Sequence, residues 1–257
     1  MREVALVTGA SSGIGLEITK ILASQNYDLV ICARREKELQ DLAEEISRQH
    51  TVNCKVIVAD LTTEEGVDLL IKDSGEIDIL VNNAGFGILG DHLDMQLGRQ
   101  LEMIELNIHA LTRLSHVFGN LMVKKGKGRI MNVASIASYI SGPSFAVYCA
   151  TKAYVLSYSR ALHKELKNKG VTVTALCPGY TATKMMDNPD QGATLRIPSS
   201  MMMSAKDVAE IGIKACFAGK DIVVPGLANK FTTIIIRLFS KSLLIKIFGS
   251  FYRKNMD

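Results

Sequence analysis

The sequence predicts an α/β fold, with a doubly wound, seven-stranded parallel sheet, helices on both faces and a helical extension at the C-terminus. Short apolar runs alternate with longer helical patterns along the chain. These runs are continuously apolar, as in parallel strands that are covered on both faces. No break in composition marks a second domain within the 257 residues, of which 47% are hydrophobic and 22% charged. A chain of this length and composition can form one globular domain.

The elements follow one another in a regular order. The strand pattern occurs at residues 4–7, 29–33, 54–59, 79–81, 129–133, 171–176 and 221–224. The helical pattern occurs at residues 16–24, 36–49, 64–73, 95–123, 144–168 and 205–218. Lys167, Lys169 and then Gly170 mark the end of the fifth helix, since basic residues followed by glycine are typical of a helix C-terminus. We therefore expect residues 1–226 to hold all seven strands and residues 227–257 to extend the same domain.

Two segments depart from this order. Residues 185–203 carry five methionines among Pro, Asn and Gly, and predict no clear element. Residues 231–251 are strongly apolar, but Arg237, Lys241 and Lys246 interrupt them. As one helix this segment would resemble a membrane span, and its cations would each cost about 2.5–3.5 kcal/mol at the centre of a bilayer. A membrane span is therefore the least favoured interpretation.

Divided near residues 240–242, the tail becomes two amphipathic helices. The apolar residues are Phe231, Ile234, Ile235 and Leu238 in the first, and Leu243, Leu244, Ile247, Phe248 and Phe251 in the second. The basic residues are Lys230, Arg237, Lys241, Lys246, Arg253 and Lys254. The tail could pack within the protein or its oligomer, including over a substrate cleft, or residues 229–254 could lie on an anionic membrane. Packing is the favoured interpretation of the two.

Charge and composition exclude several classes of function. The net charge of +4 comes from 30 basic and 26 acidic residues, which is too small a balance to indicate a nucleic-acid partner. The five cysteines are scattered and odd in number, as expected of free thiols in a reducing compartment. No histidine or cysteine spacing predicts a metal site. The N-terminal apolar run is too short for a secretory signal, so we expect a cytoplasmic protein.

A glycine-rich loop at residues 8–15 follows the first strand and opens the first helix. Gly9 permits a tight turn, Gly13 lets the backbone approach a pyrophosphate, and Gly15 allows close packing of the helix. The phosphates would then lie at the positive end of the helix dipole. The loop therefore predicts a dinucleotide-binding site.

The second strand ends in a way that predicts NADP rather than NAD. An NAD enzyme would place a carboxylate there for the ribose 2′-hydroxyl, but this chain has Arg34 and Arg35. Two guanidinium groups can instead hold a 2′-phosphate and stack on adenine. The alternative is that these residues only begin a charged helix.

Tyr148 and Lys152 predict an acid–base centre, because residues four apart lie on one face of a helix. A nearby ammonium favours the phenolate and lowers the pKa of the tyrosine, as proton exchange with an alcohol requires. Tyr180 and Lys184 repeat the spacing, and we interpret this second pair as coincidental. Ser135 ends a strand shortly before Tyr148, whereas a lysine stands at the same distance before Tyr180.

These motifs together resemble the short-chain dehydrogenases/reductases of the compact single-domain type, over about residues 3 to 226. The glycine loop matches the TGxxxGxG pattern of that family, and residues 82–85 match its NNAG motif. The resemblance implies a Rossmann-type domain and a catalytic tetrad of Asn107, Ser135, Tyr148 and Lys152. It implies cofactor contacts from Gly9, Ser11, Ser12, Gly13, Ile14, Gly15, Arg34, Arg35, Asp60, Leu61, Asn83, Ala84, Gly85, Tyr148, Lys152, Pro178, Gly179, Thr181 and Thr183.

The resemblance also implies a role for each catalytic residue in hydride transfer between nicotinamide and a carbonyl or secondary alcohol. Tyr148 exchanges a proton with the substrate oxygen, and Ser135 hydrogen-bonds that oxygen. Lys152 lowers the pKa of Tyr148 and holds the ribose, while Asn107 holds a water that links Lys152 to solvent. Asp60 contacts the adenine, and Thr181 and Thr183 contact the carboxamide. Members of the family are commonly dimers or tetramers through two long helices, here residues 95–123 and 144–168.

The sequence thus predicts an NADP-dependent carbonyl reductase or alcohol dehydrogenase. The methionine-rich residues 185–203 occupy the lid position of the family, which favours an apolar or aromatic substrate, although methionine also fills ordinary cores. One alternative is reduction of the 3-keto group of an acyl chain by the same fold. Another is a non-catalytic NADPH-binding regulator, which the intact tetrad argues against.

Overall fold

The computed structural model describes residues 2–183 and 197–255, and it has three layers, with a parallel sheet between two sets of helices. The strands are β1 (Val4–Thr8), β2 (Asp28–Ala33), β3 (Cys54–Val58), β4 (Ile79–Asn82), β5 (Gly128–Val133), β6 (Val171–Leu176), β7 (Thr181–Ala182), β8 (Met203–Ser204) and β9 (Ile222–Val223). The helices are α1 (Gly13–Ser24), α2 (Glu36–Gln49), α3 (Glu64–Ser74), α4 (Leu97–Ile104), α5 (Leu111–Lys125), α6 (Ala146–Leu166), α7 (Ala205–Phe217), α8 (Leu227–Leu238) and α9 (Lys241–Asn255).

The main sheet has the order β3-β2-β1-β4-β5-β6-β9, and all its neighbouring strands are parallel. β1 pairs with β2 on one side and with β4 on the other, so the chain reverses its direction of winding there. A crevice forms outside the carboxyl ends of the strands at such a switch point, and it is the usual ligand site of the fold. The predicted doubly wound, seven-stranded Rossmann-like sheet is confirmed.

Both faces of the sheet are buried, which explains why the strands are continuously apolar. Ala5 and Val7 belong to a core cluster with Leu22 of α1, while Leu6 between them belongs to a second cluster with Phe118 of α5. Successive side chains of a strand point to opposite faces. Each strand of this sheet therefore needs apolar residues at every position.

Two predicted helices differ from the structure. The helix expected at residues 95–123 is α4, then a π-helical turn at Glu105–Ala110, then α5. The helix expected from residue 144 begins at Ala146, because Ser144 has a φ of +61° and cannot continue a right-handed helix. The hydroxyl of Ser144 donates instead to Asp91 Oδ1 at 2.6 Å. The short pairing of β7 with β8 was not predicted.

The C-terminal extension forms two helices, with a break close to the predicted one. Ile236 of α8 and Tyr252 of α9 are buried, whereas Phe231, Ile234 and Leu238 are more than half exposed. One side of the extension thus contacts the domain and another faces outward. In the described ranges, no helix has both the length and the hydropathy that crossing a membrane requires.

Candidate active site

A cavity of about 860 Å³ lies at the carboxyl ends of the central strands. The glycine loop and Arg34 line one end of it, which we call the nucleotide end. Phe145, Phe248 and Tyr252 line the other, which we call the substrate end, and Tyr148 also lines the cavity. The switch point of the sheet therefore opens into one continuous site.

The glycine loop closes tightly against the sheet. Gly9 has a φ of +67° and Gly13 a φ of +60°, which glycine adopts without strain. A Cβ on Gly15 would lie 2.4 Å from the carbonyl oxygen of Gly9, so no side chain fits there. α1 begins at Gly13, with no acidic residue in its first turn and no side-chain cap from Ser12. Its first amides can therefore bind an anion.

Thr8 and Asn83 hold this loop to the end of β4. Asn83 Nδ2 donates to the carbonyl oxygens of Thr8 at 2.9 Å and Gly9 at 3.2 Å. The hydroxyl oxygen of Thr8 accepts from the amides of Asn83 and Ala84, both at 3.0 Å. Thr8 was not among the predicted site residues, although it is the first residue of the TGxxxGxG pattern. The hydroxyl of Thr8 positions the loop by accepting hydrogen bonds from these two backbone amides.

The two arginines lie at the nucleotide end. Arg35 donates from Nη2 to the hydroxyl oxygens of Ser11 at 2.8 Å and Ser12 at 2.6 Å. Arg34 Nη1 lies 3.7 Å from Asp60 Oδ2 and is largely exposed. Both arginines line the cavity. The chain therefore places two guanidinium groups beside the glycine loop.

Ser135, Tyr148 and Lys152 come together at the middle of the cavity. Ser135 follows β5, accepts the amide of Ala137 at 3.0 Å and hydrogen-bonds the phenol of Tyr148. Lys152 Nζ lies 5.8 Å from the centre of the Tyr148 ring and donates to the carbonyl oxygen of Val133 at 2.9 Å. The end of β5 and one face of α6 thus hold the three groups in place.

Asn107 lies in the π-helical turn between α4 and α5. Its Nδ2 donates to the carbonyl oxygen of Phe86 at 2.9 Å and to Thr151 Oγ1 at 3.1 Å, and its Oδ1 accepts the amide of Phe86 at 3.2 Å. A Cβ on Gly85 would lie 2.8 Å from Asn107 Oδ1 and 3.4 Å from Lys152 Nζ. The absence of a side chain at Gly85 therefore lets both polar groups approach the same point.

Burial controls the protonation of the two central groups. It raises the pKa of Tyr148 to about 12, and the hydrogen bond from Ser135 lowers that pKa by less. It lowers the pKa of Lys152 from 10.5 to about 8. The pKa of Tyr148 thus departs from its ordinary value in the direction opposite to the expected one. Burial is the largest influence on the pKa of Tyr148, and the ammonium of Lys152 is directed to the carbonyl oxygen of Val133.

The segment after β6 follows the cavity wall. The carbonyl of Pro178 accepts the amide of Ile136 at 2.8 Å, and Thr181 donates to the carbonyl of Gly179 at 3.0 Å. A Cβ on Gly13 would lie 3.0 Å from Thr183 Cγ2, so Thr183 adjoins the glycine loop. Lys184 of the second Tyr–Lys pair and most of the expected lid, residues 185–196, lie outside the described residues. Of that lid, Met201, Met202 and Met203 line the cavity.

Comparison with known proteins identifies the family. The chain matches the short chain dehydrogenase family over residues 3–193. The protein is a short-chain dehydrogenase/reductase. This short-chain dehydrogenase/reductase is 34% identical over 218 residues to the 3-oxoacyl-[acyl-carrier-protein] reductase FabG of Haemophilus influenzae, a match of 81% of this chain and 88% of that relative.

Solved structures of short-chain dehydrogenases share its fold. The short-chain dehydrogenase from Sphingobium yanoikuyae in complex with NADPH is similar at a TM-score of 0.81 and 28% identity, over 91% of this chain and 92% of that one. The bulky-bulky ketone specific alcohol dehydrogenase from Comamonas testosteroni is similar at a TM-score of 0.79 and 28% identity, over 92% of each chain. The family binds NAD(P), and this protein is an oxidoreductase that acts on small-molecule alcohols and ketones.

Sequence reasoning missed two further residues of the cavity in this short-chain dehydrogenase/reductase. Tyr180, from the Tyr–Lys pair interpreted as coincidental, lines the cavity and hydrogen-bonds Tyr252 of α9. Tyr252 is only 3% exposed. Local sequence patterns do not predict this contact, because it joins residues that are far apart in the chain.

Proposed function

We propose that this short-chain dehydrogenase/reductase is an NADP-dependent carbonyl reductase or alcohol dehydrogenase with an apolar substrate. The observation that supports it best is the grouping of Ser135, Tyr148 and Lys152 at the centre of one cavity. NADPH, when bound, supplies the hydride that the carbonyl carbon accepts. The residues of the chain have to orient the carbonyl, stabilise the charge on its oxygen and deliver a proton to it.

In this proposal Tyr148 is the proton donor. With a pKa of about 12, its phenol is protonated at neutral pH, so it can give a proton to the substrate oxygen as that oxygen becomes a hydroxyl. Ser135 donates a hydrogen bond to the same oxygen. Lys152, with a pKa of about 8, can be charged or neutral near physiological pH and returns a proton to Tyr148. Asn107, held by Phe86, keeps a water between Lys152 and solvent.

Replacing Tyr148 tests the acid–base role. We expect Tyr148→Phe to lose at least about 100-fold in kcat while it still binds NADPH, because the ring remains and only the proton donor is lost. Tyr154→Phe is the matched control, since the Tyr154 phenol is on the same helix but bonds Thr112 at the surface. A Tyr148→Phe protein with most of its activity would refute the assignment. NADPH binding without turnover by the wild type would favour the regulator alternative.

The hydrogen-bond donors and positive charges at the nucleotide end suit NADPH. The open N-terminus of α1 can hold the pyrophosphate, and the remaining predicted cofactor residues except Gly15 border the same cavity. Arg34 and Arg35 would hold the 2′-phosphate, which NADH lacks. We expect NADPH to bind at least about tenfold tighter than NADH, a difference of about 1.4 kcal/mol.

Nucleotide fluorescence can measure this selectivity, because the chain contains no tryptophan. We expect Arg34→Asp to shift the preference toward NADH, whereas Lys37→Asp, an equal charge change at an exposed position outside the cavity, should not. If Arg34→Asp kept the selectivity of the wild type, the arginine assignment would fail. Tighter binding of NADH by the wild type would refute NADP itself.

The substrate end supports an apolar carbonyl compound. Ile140, Phe145, Phe248 and Phe251 line it, and apolar walls of this kind bind hydrocarbon. Reduction of a 3-oxoacyl chain is the second candidate, and the similarity to the Haemophilus influenzae reductase favours it. A screen of aliphatic and aromatic ketones beside 3-oxoacyl thioesters separates the two by kcat/KM.

We further propose that residues 1–226 hold the cofactor and the catalytic groups, and that residues 227–257 close the substrate end. A homodimer or homotetramer would form through α4, α5 and α6, where Leu97, Leu101 and Leu121 are exposed. Light scattering checks this assembly, and a monomer at micromolar concentration would contradict it. No nucleic-acid partner is expected.

We also propose that the protein is cytoplasmic and that its C-terminal extension makes peripheral contact with an anionic membrane. Residues 229–254 would form this contact. Phe231 and Ile234 are exposed, with Lys230 beside them and no acidic residue anywhere in that stretch. An apolar face with basic residues suits an anionic bilayer surface. Co-sedimentation with anionic vesicles should exceed that with neutral ones, and Phe231→Ser should weaken it. No binding by the full chain would exclude the contact.

A further inference from the structure

Helix α9 places a phenol inside the substrate end of the cavity. The Tyr252 ring lies 5.7 Å from the ring of Phe145 in an edge-to-face arrangement. It also packs closely on Gly142, where an added Cβ would be 2.9 Å from Tyr252 Cε2. Because Tyr252 is almost fully buried, its hydroxyl needs a partner within the protein or the ligand.

That partner is Tyr180, which follows the Pro178–Gly179 pair. Tyr180 and Tyr252 both line the cavity and hydrogen-bond each other, and this bond lowers the pKa of Tyr180 while it raises the pKa of Tyr252. Burial is the larger influence and raises both, that of Tyr180 to about 12. Both phenols are therefore protonated at neutral pH. Since the bond between two phenols uses one of their two hydroxyl hydrogens, the other remains for a second acceptor.

The pair lies near the reacting group. The ring of Phe145 stacks on that of Tyr148 with centroids 4.3 Å apart and meets the ring of Tyr252 at 5.7 Å, and Tyr180 lines the same cavity. The walls around them are mostly aromatic and aliphatic. A buried hydroxyl in such surroundings costs free energy unless it has a hydrogen-bond partner. The pair therefore discriminates strongly between ligands that offer a hydrogen-bond acceptor and ligands that do not.

We infer that Tyr180, oriented by Tyr252, is a second hydrogen-bond donor for the substrate. The substrate is then a carbonyl compound with another oxygen acceptor near the reacting carbonyl, on an otherwise apolar skeleton. A 3-oxoacyl ester or thioester is of this class, because its second carbonyl lies two carbons from the ketone. The inference rests on the proposed reductase function and narrows its substrate.

Two probes of matched chain length test the inference. Ethyl 3-oxohexanoate carries the second carbonyl, and 4-nonanone has methylene groups in place of the ester. The ketone of the keto ester is chemically more reactive than that of 4-nonanone, and this difference is the same for every variant. The measured quantity is therefore the ratio of kcat/KM for the keto ester to kcat/KM for 4-nonanone, compared between variants. We expect Tyr180→Phe to lower this ratio about five- to tenfold, the loss of one hydrogen bond. Tyr252→Phe should lower it less and through KM, because it removes only the group that orients Tyr180.

Tyr154→Phe is the control for loss of a phenol outside the cavity, and its ratio should equal that of the wild type. Thermal unfolding of each variant shows whether the fold is kept. If the wild type reduces both probes and neither Tyr180→Phe nor Tyr252→Phe changes the ratio, the inference is wrong while the proposed function stands. If a folded, NADPH-binding wild type reduces neither probe, the proposed function fails and the inference fails with it.

Discussion

Replacing Lys152 by methionine should stabilise the protein while it removes activity. The ammonium of Lys152 is buried, and its pKa of about 8 against an ordinary 10.5 corresponds to about 3 kcal/mol of unfavourable burial at neutral pH. Methionine has a similar volume and no charge. The lost hydrogen bond to the Val133 carbonyl offsets about 1–2 kcal/mol of the gain. We expect a net stabilisation of about 1–2 kcal/mol at pH 7, or a few degrees in Tm.

The effect should depend on pH with a definite sign. Between about pH 8 and 10.5 the unfolded chain holds a proton on Lys152 that the folded chain has released, so wild-type stability rises with pH in that window. Below pH 8 both states are charged and the full cost is present. Relative to Lys152→Met, the wild type should therefore gain about 2 kcal/mol between pH 7 and about pH 9.5.

Urea unfolding of the two proteins without added nucleotide, at several pH values, measures this difference. Taking the difference cancels the titration of every other group. Lys164→Met is the matched control, because Lys164 is an exposed lysine on the same helix, and its curve should stay parallel to that of the wild type. Two outcomes would show that burial does not set the pKa of Lys152. In one, Lys152→Met is less stable than the wild type at pH 7, and in the other the stability difference between the two proteins does not change with pH.

Two other substitutions test the framework of the site. Gly15→Ala should lower Tm by several degrees and weaken NADPH binding at least about tenfold, because its Cβ would lie 2.4 Å from the Gly9 carbonyl oxygen. The control is Gly98→Ala in α4, where a Cβ meets nothing within 4 Å. This control should be neutral or stabilising. Asp78→Asn should cost about 1–2 kcal/mol at pH 7, and the loss should shrink as the pH falls below 3.8 toward the lowered pKa of Asp78. Burial raises the pKa of Asp78, but the hydrogen bonds from Lys125 and the Val4 amide, together with the charges of Lys125 and Lys127, outweigh it and hold that pKa below 3.8. Chemical unfolding at pH 7 and pH 3 checks the sign, and a deficit at pH 3 as large as that at pH 7 would contradict it.

The strands of the sheet could be predicted because the pattern that specifies each strand lies within a few consecutive residues. A run such as residues 29–33 is apolar at every position, and only a strand covered on both faces needs that pattern. The glycine loop could be predicted for a related reason, since Gly9 and Gly15 occupy places where the structure leaves no room for a Cβ. In both cases the constraint acts on residues that are close in sequence.

The remaining features depend on contacts between distant segments. The π-helical turn holds Asn107 against Phe86 and Thr151, residues that lie 21 and 44 positions away, and nothing within the turn itself predicts that geometry. Likewise, the pairing of Tyr180 with Tyr252 depends on how α9 packs on the domain. Helical spacing could predict the apolar faces of the extension, but not which side would border the cavity.

The buried polar groups at the centre of the cavity have protonation states that suit reduction. A phenol with a pKa of about 12 is a proton donor at neutral pH, whereas oxidation of an alcohol needs a proton acceptor at the same atom. The same burial that raises the pKa of Tyr148 lowers that of Lys152, so each group is pushed toward its neutral form. Near pH 7 the phenol is neutral and Lys152, with a pKa of about 8, is still mostly protonated, so both groups carry a transferable proton. Carbonyl reduction is therefore the direction that we expect this site to favour near pH 7, and alcohol oxidation should become competitive only as the solution becomes more basic.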